Sequence, residues 1–254
     1  MTATKHPSYP NPVIVEAVCE LQFELSKEKP WKASLFGDFY KNVQGEYPEM
    51  EPLQGVGVQL DVGPQGLGQR LVPQRQRMRF KHAERPLILQ LDETSLIVNV
   101  LAPYPGWEKV IRDIMDAWRH ATQVLSPSAV IQVGLRYINR IELSSSKDRP
   151  RDWIRPNDYV ATGVLNSGPG FLSRAEAHST EHDTTTVTLG YQPPEDSNSY
   201  GAIIFDIDRI TQRGLSVKEA ELGREVNNLH EDVWRVFASA RSDKLESFLQ
   251  GAQS

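Results

Sequence analysis

The sequence has a single cysteine, Cys19. No intramolecular disulfide can form, and no thiolate metal site can be built within one chain. Long apolar runs are also missing: no stretch approaches the ~20 residues of a membrane-spanning helix, so no membrane partner is expected. The opening MTATKHPSYPNP lacks the apolar core of a secretory signal. These features together predict a cytoplasmic protein. Positive charge is not in excess either. The net charge is −5 over 254 residues, so nucleic-acid binding would need a local basic patch.

Common catalytic signatures are absent. There is no G-x-x-x-x-G-K-[ST], no H-E-x-x-H, no G-x-S-x-G and no paired C-x-x-C. The glycine-rich stretch 55–68 lacks a lysine and a following helix, so it does not read as a phosphate cradle. The chain leans away from an enzyme, and no cofactor is expected.

What is present is a patterned globular chain, long enough to bury a core without staples. Residues 1–12 read as an extended polar arm. VIVEAVCELQFEL (13–25) alternates like a long strand. From Trp31, apolar residues recur at three- and four-residue steps through Tyr47, which predicts an amphipathic helix. The Gly- and Pro-rich 48–74 reads as a loop with at most one short strand at 56–62. RQRMRFKH, PLILQLD and SLIVNVLA read as three strands, and Trp107 to Leu125 as one helical face.

The second half repeats this order. VIQVGLRYINRIEL (130–143) is a long strand, a weaker helix follows near 153–162, and FLSRAEAHS, TTTVTLGYQ and GAIIFDIDRI read as strands. Ser216 and Glu219 have capping-box spacing ahead of a helix whose inner face is Val226, Leu229, Val233, Phe237 and Ala240. SKEKP (26–30) and SKDRP (146–150) close the first strand of each half. The pattern predicts an α+β fold with an internally duplicated strand–helix–three strands–helix unit. Its sheets would be mostly antiparallel, with helices on one face. The expected lobes are 13–128 and 129–254.

Four groups of residues carry candidate chemistry. Arg75, Arg77, Arg79 and Lys81 share one strand face at about 7 Å spacing, a plausible phosphate track. Arg136 and Arg140 share a face of the middle strand and could clamp a carboxylate or phosphate. Under the duplication, Glu16 and Glu20 would face them across the two long strands. Asp206 and Asp208 point one way, as do Arg174, Glu176 and His178. If those strands are neighbours, Asp206, Asp208 and Glu176 could hold Mg²⁺ or Mn²⁺ in a divalent-metal-dependent hydrolase. Trp234, Phe237, Phe248 and Leu249 in the last helix are candidates for docking a partner.

YPNPVIVEAVCELQFEL, GLRYINRIEL and LHEDVWRVFASARSDKLESFL resemble a sporadically distributed prokaryotic protein family of about this length with no assigned activity. The resemblance implies a bacterial or archaeal protein, in a setting that includes mobile-element and phage-defence cargo. It brings no catalytic residues. The leading expectation is a non-catalytic accessory or regulatory protein that binds another protein or itself. The alternatives are a nucleic-acid or nucleotide binder using the basic 70–85 segment, and the metal-dependent hydrolase.

Overall fold

The computed structural model describes residues 6–53, 56–63, 66–73, 76–167, 170–194 and 200–251. Two long strands form its centre. In β1 (Ile14–Leu25), Ala17, Cys19, Leu21 and Phe23 are buried, while Glu16, Val18, Glu20 and Gln22 occupy the other face. In β8 (Pro127–Glu142), Val133, Leu135, Tyr137, Asn139 and Ile141 are buried, with Arg136, Ile138 and Arg140 opposite. This two-residue period is what an antiparallel sheet with one covered face requires. The strands pair antiparallel, with Cys19 opposite Leu135.

The sheet grows outward from this pair. Beside β1 lie β7 (Ser95–Leu101), β6 (Leu87–Leu91), β5 (Arg77–Lys81) and the edge strand β2 (Glu49–Leu53). Beside β8 lie β11 (Ala202–Thr211), β10 (Asp183–Gln192) and the edge strand β9 (Leu172–His178). Among the described residues these make one nine-stranded antiparallel sheet. The strands β3 (Val56–Gly63) and β4 (Gly66–Pro73) form a separate two-stranded hairpin.

Three helices cover one face. Phe39 of α1 (Ser34–Val43) meets Phe80 with ring centroids 5.0 Å apart, and Trp118 of α2 (Trp107–Leu125) meets Phe23 at 6.1 Å. Phe237 of α5 (Glu219–Ala240) stacks on Phe205 at 6.2 Å. Buried residues of both halves join in one hydrophobic cluster. The predicted inner face of α5, Val226, Leu229, Val233, Phe237 and Ala240, is buried throughout. Cys19 is a small core residue, and burial pushes its thiol pKa up.

Several expectations are corrected. The 48–74 segment is not a loop with one strand: it holds β2, β3 and β4. In place of a helix over 153–162 there are two single turns, α3 (Pro150–Trp153) and α4 (Thr162–Leu165). The Ser216–Glu219 capping box does not form, because α5 starts at Glu219. Instead the Ser216 hydroxyl accepts from the Lys218 N–H at 3.1 Å, and Glu221 accepts from the Ser216 N–H at 3.3 Å. The last helix is broken at Arg241–Ser242, and Ser242 caps α6 (Asp243–Leu249) by accepting from the Leu245 N–H at 3.1 Å.

Candidate functional site

The face of the sheet opposite the helices is the open one. Val18, Ile138, Ile204 and Ile210 on it are only partly buried. The strand register sets its residues in rows. One row runs Asn99, Val18, Arg136, Asp208, Thr186 and Glu176 from β7 to β9. The next runs Leu101, Glu16, Ile138, Asp206, Thr188 and Arg174. Glu20 stands one row to the other side, between Ile97 and Gly134.

Most polar groups here already have partners. Arg136 grips Asp206 with two parallel bonds, Nε to Oδ1 at 2.8 Å and Nη2 to Oδ2 at 2.6 Å. Asn99 donates to Glu16 at 2.6 Å and accepts from Gln90 at 2.8 Å. Gln22 donates to Glu20 at 3.2 Å. Asp208 differs. Its carboxylate makes no hydrogen bond or ion pair among the described residues, yet it is partly buried. Burial pushes its pKa up to about 6; Asp206 and Glu20 add to the shift, while Arg136 and Arg174 oppose it. Four carboxylates, Glu16, Glu20, Asp206 and Asp208, therefore share the middle of the open face with the Arg136 guanidinium, while Arg140 and Arg174 lie further out on the same face. At the centre the acids outnumber the guanidinium, which favours a cation.

Glu16 and Glu20 do not pair with Arg136 and Arg140. Register places Glu16 opposite Ile138 and Glu20 opposite Gly134, so Arg136 turns to Asp206 on the other neighbour. Arg140 donates to Glu142 and, at 3.3 Å, to Gln192. Asp206, Asp208 and Glu176 do share a face, but β10 separates β11 from β9, with Thr186 between Asp208 and Glu176. Two strand spacings, about 9.6 Å, keep the third carboxylate from a common ion. Among the described residues, no group of three His, Cys, Asp or Glu side chains is placed to hold a metal.

The basic track is occupied by the protein's own acids. Arg77 binds Asp92 at 2.7 Å; Arg79 binds Glu51, its Nε at 2.6 Å; Lys81 lies 3.1 Å from Glu51 and 3.5 Å from Glu49. The Arg79 and Lys81 bonds hold the Glu51 carboxyl below its usual range. Glu49 and Glu51 come from the unexpected strand β2, whose register puts Glu51 opposite Arg79. Arg75 lies outside the described residues.

The docking residues are also covered. Phe237 and Leu249 are buried, and Phe248 packs edge-on to Trp153 at 5.8 Å. Trp234 is overlaid by the N-terminal arm, with His6 at 4.6 Å and Tyr9 at 6.3 Å between ring centroids. Tyr9 donates to Glu246 at 3.0 Å, and the Asn11 N–H donates to the Leu249 carbonyl at 3.2 Å. The chain's own arm fills the place expected for a partner.

Sequence reasoning singled out Asp208 but not its state. Its cross-strand neighbours are Arg136 and Thr186, and only the strand order supplies them. No protein-family model matches the chain, and no curated protein matches it.

Proposed function

We propose that the protein is a non-catalytic accessory or regulatory binding component whose open sheet face receives a basic segment of a partner protein. The observation that carries this reading is the Asp208 carboxylate, partly buried and unpartnered, beside Glu16, Glu20 and Asp206. A partly buried carboxylate without a partner is unfavourable alone and becomes favourable once a cation meets it. Val18, Ile138, Ile204 and Ile210 sit between the charges, giving the mix of apolar and polar area found at protein interfaces. Nucleic acid fits less well, since a phosphate would have to displace Asp92, Glu49 and Glu51 from Arg77, Arg79 and Lys81.

The internal duplication belongs to the same reading. The order β5–β6–β7–β1 on one side mirrors β9–β10–β11–β8 on the other, about the β1–β8 pair. SKEKP lies in the turn that follows β1, and SKDRP runs from the turn after β8 into the first residue of α3. The acidic centre then lies at the junction of two related halves. The family resemblance supports a prokaryotic, cytoplasmic setting, including mobile-element or defence systems, in which an accessory protein meets a larger partner.

The test is a fluorescence titration with a short arginine peptide, a glutamate peptide and a single-stranded oligonucleotide. The arginine peptide should bind, more weakly as salt rises, and more tightly at pH 7 than at pH 5, because Asp208 ionises in between. Glu20→Gln combined with Asp208→Asn should lower its affinity about tenfold, equivalent to about 1.4 kcal/mol. Oligonucleotide binding that disappears in Arg79→Gln would contradict the proposal.

A further inference from the structure

A cavity of about 250 Å³ lies at the end of β8, under the turn that holds SKDRP. It is on the helix-covered side of the sheet, away from the acidic open face. Three neighbouring strands give it an apolar floor: Leu143 just beyond β8, Tyr191 of β10 and Ile203 of β11. Phe171 and Pro150 form its walls. The volume is near the ~300 Å³ lower end of small-molecule pockets.

One wall is rigidly built. Tyr191 donates its hydroxyl hydrogen to the Tyr200 carbonyl at 3.2 Å. The next residue, Gly201, has φ +84°, and a Cβ there would sit 2.5 Å from the Gln192 carbonyl oxygen and 2.7 Å from the Tyr191 hydroxyl. Only glycine permits this approach. It holds Tyr191 against the cavity, with Tyr200 also in the lining.

The polar rim is asymmetric. The Arg149 backbone N–H is bonded to Asp152 at 2.8 Å, but its guanidinium makes no hydrogen bond or ion pair among the described residues. The Ser146 hydroxyl has no partner among them either. Asp148, the acid of the lining, is already engaged. Lys244 binds it at 2.6 Å, and the Ser144 N–H and hydroxyl donate at 2.8 and 2.9 Å. Burial pushes its pKa up, but these bonds outweigh that and hold it down at about 2. Among the described residues the free charge at the mouth is therefore positive, above an aromatic and aliphatic floor.

We infer that this cavity binds a small molecule with a flat apolar body and one anionic head, a carboxylate or a phosphate. The body lies between Phe171, Tyr191 and Ile203, and the head meets Arg149 and the Ser146 hydroxyl. A guanidinium suits either head, since both offer two oxygens to its paired N–H groups. The inference stands apart from the binding role of the open face, because the two sites share no residue.

The experiment is calorimetric titration of the full chain with phenyl phosphate, phenylacetate and neutral 2-phenylethanol. Both anions should bind one per chain, and the tighter of the two identifies the head group. Arg149→Gln should lower anion affinity about tenfold or more while leaving 2-phenylethanol unchanged, and Arg149→Lys should recover part of the loss. Phenyl protons should show contacts to the Phe171 and Tyr191 rings by NMR. Arg149 is exposed, so the variants should fold, as an unchanged melting temperature would show. The inference is overturned if neither anion saturates, if 2-phenylethanol binds as tightly as the anions, or if Arg149→Gln binds them like the wild type.

Discussion

Replacing Trp118 by alanine is expected to destabilise the protein by about 3 to 5 kcal/mol, the cost of emptying a large aromatic site in a core. Trp118 is 1 % exposed. Its ring packs on Phe23 of β1, and its Nε1–H donates to the Val217 carbonyl at 3.1 Å. One side chain thus ties α2 to the central strand and to the segment leading into α5. The cavity would be lined by α2 and the sheet, neither of which can close without moving the other. Urea unfolding of wild type and variant measures the difference. Trp118→Phe should lose less, because it keeps most of the packing and gives up the Val217 bond. A loss below about 1 kcal/mol for the alanine variant would mean that the two helices are not held through this site.

The second large effect has the opposite sign. Asp208→Asn is expected to stabilise the protein at pH 8 by about 2 to 3 kcal/mol, at roughly 1.4 kcal/mol per unit of pKa. In the unfolded chain Asp208 titrates near its ordinary 3.8, and in the folded protein near 6. Below the lower value both states hold the proton, and the group does not affect stability. Between the two values only the folded state still holds it, so stability falls as pH rises through this window. Above about pH 6 the penalty is complete. Asparagine removes the charge and the penalty. Stability measured from pH 4 to pH 8 should therefore decline less steeply in Asp208→Asn than in the wild type. Equal slopes would show that Asp208 carries no burial penalty. A stabilising change at a partly buried acid also marks a residue retained for something other than folding.

The elements with strong periodicity were legible from residues alone. β1 alternates because one face meets helices and the other does not; β8 does so less cleanly, with Asn139 buried and Ile138 on the open face. The inner faces of α2 and α5 repeat at helical steps, so Trp118 and Phe237 could be placed inward without a structure. β2 was illegible for a physical reason. It is an edge strand with glutamates on its exposed face and Pro52 in a position that only an edge tolerates, so its pattern looks like a loop. Missing β2 made Arg79 and Lys81 look available, since their partners Glu51 and Glu49 lie in it. That Asp206 and Asp208 point one way from their strand, and Arg174 and Glu176 one way from theirs, is legible from the two-residue period of each strand alone. Which strands are neighbours is a long-range property, and the insertion of β10 between β11 and β9 dissolves the proposed metal triad. The cavity beside Arg149 is invisible in the sequence because its lining comes from separated stretches of chain, around residues 143–150, 167–171, 191–194 and 200–203.

The central claim is that the open sheet face is a binding surface for a basic segment. It is tested most directly by following isoleucine methyl groups by NMR during titration with the arginine peptide. The account predicts shifts at Ile138, Ile204 and Ile210, which share the face with Asp208, and none at Ile141, Ile203 and Ile207, which are buried on the helix side of the same strands. Shifts confined to the helix side, or an absence of shifts at saturating peptide, would contradict it.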